Sequence, residues 1–351
     1  MGQLSESDYK ILAGVEELLF GTIPIEMSYA NVVKSVTEDL RMVLEIMENL
    51  FPKSWTWMKA LFDDDMNWVT SPDFTNRDWK RVRYHNHHHA LTLFGRILKY
   101  LYGGVYEAHR DIINRTSIST RTAANWKLDR ELGNTGFSIE RRAIKLFAIA
   151  CLYHDWKHSH GKETDDGNTT RAASLFCLGT GAYHQMFMTA AKVLEGTEDI
   201  RIVEDYKNML TYDIFGRLDN DDAGLIKVMA FVRGLIREST YPYSQNQLTF
   251  AQALFRDADA LTMAGDDWFF QIYYGLCQEL LQGGANIYSI NDFADGQLAF
   301  SKGMTLFTKS FHEGENTFRE IVQDREKAIY RAYLAKALIV CEDRKIPRDL
   351  Y

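Results

Sequence analysis

The chain has 351 residues, of which 46% are hydrophobic and 25% charged, enough for one large domain or two ordinary ones around a sizeable core. Its formal net charge of -8 counts against duplex nucleic acid as a partner, since that binding rests on basic surfaces and counterion release; a small anionic substrate stays open if a metal supplies local positive charge. No apolar run reaches the roughly 18 residues of a membrane span, MGQLSESDYK has no leader pattern, and Glu6 stands where a myristoylation signal wants Ser or Thr.

Cys151, Cys177, Cys277 and Cys341 lie far apart with no CxxC pairing and read as free thiols of a reducing compartment. Together these features predict a cytoplasmic protein with no membrane partner.

With prolines only at Pro24, Pro52, Pro72, Pro242 and Pro347, long helices are unobstructed. Apolar residues at helical spacing predict helices over 7–20 and over 31–51, the second stopping before Pro52. Trp55, Trp57 and Trp68 follow and read as core packing. A helix over 80–102 ends at Gly103-Gly104. Residues 110–137 read as a polar surface excursion, after which Ser138 can cap a helix with Ile139, Ala143, Ile144, Phe147 and Cys151 on its apolar face. Further helices fit 169–178, 182–195, 199–212, 222–239, 246–264, 267–282 and 317–342, and no alternating strand pattern appears. The expected fold is all-α.

Four of the ten histidines lie in YHNHHHA, residues 84–90. On a helix of about 3.6 residues per turn His85 and His89 share a face, which continues through Leu93 and Ile97. Imidazoles aimed at a core need a metal or a hydrogen-bond partner. In LFAIACLYHDWKHSHGKETDDGN (146–168), His154 and Asp155 end an apolar helix. Imidazole and carboxylate are good ligands for Zn, Mn, Fe or Mg, and a carboxylate can bridge two cations. His158, His160 and a polar loop carrying Asp165, Asp166 and Asn168 follow. FRDADALTMAG (255–265) offers Asp257 and Asp259, which on a helix face nearly opposite ways, so that only one is placed to bind the same ion; periodicity does not choose between them.

These motifs resemble the HD superfamily of metal-dependent phosphohydrolases. YHNHHHA and YHDWKH are closest to the YHNxxHA and HDxxH motifs of the class I 3',5'-cyclic nucleotide phosphodiesterases, and VLEGTEDIRIVEDYKNML (193–210) is similar to the helix carrying their ATD motif. The resemblance covers about 80–265. It implies a compact helical phosphodiesterase-like catalytic domain over 76–345 behind an N-terminal helical subdomain, 1–75. It implies His85 as general acid, His89, His154 and Asp155 as metal ligands, and His158 near a second metal or the phosphate, and its alanine-aspartate pair aligns with Ala258-Asp259, making Asp259 the fourth ligand. Two divalent ions are expected, Zn, Mn or Fe at the tight site and Mg or Mn at the second. Asn86, His160, Asn168, Thr197 and Gln271 are candidate substrate contacts, with Thr197 and Glu198 as supporting groups.

The sequence departs from the family pattern at HSHG, where HPG is usual, and at ADALTM, where ADxSNP is usual. Gln271, Gln278, or Gln297 with Phe300 are the candidates for its purine clamp. The substrate expected is a small nucleotide, first a cyclic one, with another nucleotide or an alarmone as alternative. A di-iron oxygenase, with His184 or His158 as extra ligands, and a catalytically silent nucleotide sensor are the other readings.

Overall fold

The computed structural model describes residues 25–66, 84–113, 139–159, 162–177, 183–216, 222–243, 248–264, 269–283 and 290–303. Among these the chain is 81% helical with no strand, an all-α fold. The helices expected over 7–20 and 317–342, together with His160, Trp68, His312 and Cys341, lie outside the described residues. No described helix is long and apolar enough to cross a membrane.

Two compact units are distinguished, one of residues 37–159 and 163–262, the other of 1–36, 160–162 and 263–351. The first carries the motifs. In chain order its described helices are α1 (Ile25–Leu50, from Thr37 onward), α2 (Trp55–Met66), α3 (His87–Tyr102), α4 (Val105–Ile113), α5 (Ile139–Tyr153), α6 (Asp165–Ser174), α7 (Gln185–Glu195), α8 (Ile200–Phe215), α9 (Asp222–Glu238) and α10 (Phe250–Ala260). Helix α5 is the centre of this unit: Leu146 to Tyr153 are all buried, and α3, α8 and α9 pack on it. Such burial on every side fits an apolar sequence with little polar face. Helix α10 packs on α3 and α9, and α2 packs on α7.

Local signals explain several boundaries. Gly103, with φ 85°, ends α3 in the left-handed conformation that favours glycine, and its N–H donates to the Lys99 carbonyl at 2.8 Å. Thr249 and Gln252 form a reciprocal capping box at the start of α10. The carboxylate of Asp213 caps the start of α2, accepting from the Ser54 N–H at 2.8 Å and its hydroxyl at 2.7 Å.

Three described helices lie where none was expected, α2 and α4 of the first unit and Ile290–Gly303 of the other. The Trp-rich stretch is α2, in which Trp57 stacks on Tyr206 with ring centroids 5.1 Å apart. Helix α4 begins directly after Gly103-Gly104. In the second unit the described elements are a π-helical stretch, Phe269–Leu276, then α11 (Cys277–Gly283) and α12 (Ile290–Gly303), with Tyr273 edge-on to Phe293.

Candidate metal centre

Three helices of the first unit deliver the motif residues to one buried place. Asn86 is the N-cap of α3, with an extended backbone (φ −142°), and its side-chain oxygen accepts the His89 N–H at 3.0 Å. His85 therefore precedes the helix and does not share a helical face with His89, contrary to the periodicity reading. The two rings are still neighbours, edge to face with centroids 5.7 Å apart. His89 lies in the first turn of α3, with Leu93 and Ile97 fully buried along its face. His87 turns to Asp63, Nε2 to Oδ1 at 3.2 Å.

His154 follows the last residue of α5. Its Nδ1 donates to the Cys151 carbonyl at 2.9 Å, which directs Nε2 inward. There it meets His89 Nε2 at 3.2 Å and Asp155 Oδ2 at 2.8 Å. His89 Nε2 lies 3.5 Å from the same Asp155 oxygen and 3.3 Å from Asp259 Oδ1. The donor atoms of His89, His154 and Asp259 all lie within 4.8 Å of one another. Of the two aspartates on α10, Asp259 is the one that reaches the cluster. Asp257 is buried elsewhere on the same helix.

Electrostatics follow from this crowding. Burial disfavours charge on both imidazoles. It lowers the pKa of His89, but for His154 the adjacent Asp155, its hydrogen bond and Asp259 outweigh burial and push the value up to about 9. Asp155 is likewise penalised by burial, yet the histidines around it hold it well below the usual carboxylate range, and Asp259 is lowered by His89 and His154. Two inward-facing imidazole nitrogens and two carboxylates that resist protonation form a donor set suited to a divalent cation. Tyr84, its ring centroid 4.4 Å from that of His89, covers one side.

Next to this cluster His158 stacks on His85, centroids 3.5 Å apart at 26°. Asn168, on α6, has its amide nitrogen 3.0 Å from His158 Nε2. The structure thus brings together His85, His89, His154, Asp155, His158 and Asp259, with Asn86 and Asn168 engaged as internal hydrogen-bond partners.

It does not bring in Thr197 or Glu198. The Thr197 hydroxyl accepts the Asp199 N–H at 3.0 Å in the turn before α8, and Glu198 is an exposed partner of Lys192. His184 is buried at the N-cap of α7 beside Phe187 and belongs to no donor cluster among the described residues. Gln271 and Gln297 are buried in the second unit. His109 has a partner that sequence did not reveal, Glu45 at 2.6 Å. Cys151 and Cys277 are buried free thiols and Cys177 is a half-buried one.

One acid near the site was missed, Asp65, and another, Asp165, was marked only as a member of the polar loop. Asp65 on α2 accepts the Lys157 N–H on both oxygens, and burial raises its pKa to about 7. Asp165, pushed up to about 6 by burial, accepts the Tyr241 N–H and feels the charges of Asp155, Asp259 and His85. Only the DDD run at the end of α2 hinted at the first, without selecting a member.

Fold and cluster define an all-helical protein with a buried His/Asp group able to hold a metal ion. Compared with models of protein families, with curated proteins and with solved structures, the chain matches none.

Proposed function

We propose that the chain is a metal-dependent phosphohydrolase that cleaves a phosphoester of a nucleotide, with cyclic nucleotides as the first substrates to test. One observation supports this reading above the others: the His89, His154 and Asp259 donor atoms converge within 4.8 Å, with Asp155 Oδ2 2.8 Å from His154 and the stacked His85–His158 pair alongside.

His89, His154, Asp155 and Asp259 would hold the ion. A divalent cation there lowers the pKa of a water and offsets charge on phosphoryl oxygens. Asp155 has a second carboxylate oxygen to offer a second cation. His85, outside α3 and beside His89, is the imidazole assigned to protonate the departing oxygen, a general-acid task that histidine side chains commonly perform. Tyr84, packed against both rings, limits where they can swing.

The test is metal analysis of the purified chain together with a hydrolysis screen of cyclic and linear nucleotides, with Asp155→Ala as control. Bound divalent metal and a hydrolysis that the variant loses are expected. A chain that retains no divalent ion and cleaves no phosphoester overturns the proposal.

A further inference from the structure

Asn168 is 4% exposed, and both ends of its carboxamide are engaged. Oδ1 accepts the Ser159 backbone N–H at 2.9 Å and an Arg171 guanidinium N–H at 3.2 Å. Both partners can only donate. Turning the carboxamide over would set its NH2 against two donors, so its orientation is fixed. Arg171 is held in turn by the Lys157 carbonyl, 2.8 Å away, and by an ion pair with Glu163.

Nδ2 of Asn168 therefore faces His158 Nε2 at 3.0 Å, and it has only hydrogens to offer. Nε2 must present its lone pair, which leaves Nδ1 as the nitrogen that carries the ring proton.

We propose that Asn168 is a positioning residue that fixes His158 in the Nδ1–H tautomer, making it a hydrogen-bond donor and barring it from the metal-ligand role. The lone pair of Nε2 is occupied by the Asn168 N–H. Ligation through Nδ1 would require a proton on Nε2, pointed at another donor. Resting on the phosphohydrolase reading, His158 then acts beside the metal cluster as a donor through Nδ1 and not as a ligand. Because His85 lies on the His158 ring face at 3.5 Å, the same amide also sets the plane against which the proposed acid packs. A di-iron centre that recruits His158 is incompatible with this arrangement.

The test is long-range 1H–15N correlation of the imidazole nitrogens in the full chain near neutral pH, before and after zinc addition, with the His158 signals assigned by their loss in His158→Gln. A protonated Nδ1 and a bare Nε2 are expected in both states. In Asn168→Asp the carboxylate accepts instead, and the Nε2 signal is expected to shift to that of a protonated nitrogen. A proton on Nε2 in the wild-type chain overturns the proposal, as does a zinc-induced shift of His158 to that of a ligand, or a variant with the wild-type pattern. If the variant does not fold, the wild-type pattern alone decides. The readout needs no turnover, so an inactive chain with the expected tautomer would sink only the phosphohydrolase reading.

Discussion

Asp65 accepts the backbone N–H of Lys157 on both carboxylate oxygens, at 3.1 and 3.2 Å, and so ties α2 to the turn that separates Asp155 from His158. Lys157 has φ 52°, a left-handed conformation unfavourable for a residue with a side chain. The hydrogen bonds that Lys157 donates to Asp65 offset that strain, and Tyr153 reinforces the same joint by donating to the Met58 carbonyl at 2.7 Å. Asp65→Ala should destabilise the chain by about 1–3 kcal/mol, the usual range when a partner of a buried polar group is lost. Asp65→Asn, which keeps an acceptor, should recover part of that. Urea unfolding decides: an alanine variant with the wild-type midpoint would mean the contact contributes nothing.

The same carboxyl makes stability depend on pH. Burial raises it from 3.8 to about 7, working against the Lys157 N–H. The folded chain thus holds this proton more tightly than the unfolded chain does, so the contribution of Asp65 is full below pH 4 and is lost as pH rises to about 7. The stability of the wild type relative to Asp65→Asn should fall across that window and level off above it. Urea midpoints at half-unit pH steps would show this; a difference constant with pH would contradict the burial argument.

Asp257 and Asp259 should separate cleanly. Asp259 reaches His89 Nε2 at 3.3 Å, whereas Asp257 is 1% exposed elsewhere on α10. Asp259→Asn is expected to weaken divalent-metal affinity at least tenfold with a small change in metal-free stability. Asp257→Asn is expected to leave the affinity unchanged and to lower stability by roughly 1–3 kcal/mol, as losing a buried polar partner does. Isothermal titration with manganese, paired with denaturant unfolding, measures both, and the reverse pattern would reassign the fourth ligand.

Much of this arrangement was readable from spacing because it depends on short-range chemistry. An apolar run ending in His154-Asp155 can only carry those residues to the end of a buried helix, and Leu93 and Ile97 mark the inward face of α3. What spacing could not supply was the start of α3. Asn86 caps it and breaks the helical phase, so His85 reaches His158 from an extended segment and not from a helical turn. Nor could periodicity choose between Asp257 and Asp259, because each had apolar neighbours; contact with His89 decides. Asp65 was illegible for a different reason: its partner is a backbone N–H 92 residues away, which has no signature in sequence.

Chelation should lower the thermal midpoint if the cluster holds a cation in the purified chain, since a ligand that binds only the folded state stabilises it by about 2.7 kcal/mol at a hundredfold excess over Kd. Re-addition of Mn or Zn should restore the midpoint in the wild type and fail to do so in His154→Ala. Differential scanning calorimetry reads this directly. Equal restoration in the variant would place the binding ion elsewhere.

His85 and His89 are adjacent rings with separate assignments, and substitution should pull them apart. His89 Nε2 faces Asp155 and Asp259, so His89→Ala should lose both metal and turnover. His85 stacks on His158 and lies outside the four-residue donor set, so His85→Ala should keep its metal while kcat falls by roughly 10²–10⁴, the range for removal of a general acid. A substrate whose leaving group needs no proton, such as a nitrophenyl ester, should be cleaved by His85→Ala nearly as fast as by the wild type. Full activity of His85→Ala on the natural-type ester would remove His85 from the reaction, and an equal loss on both esters would make it a structural residue and not a proton donor.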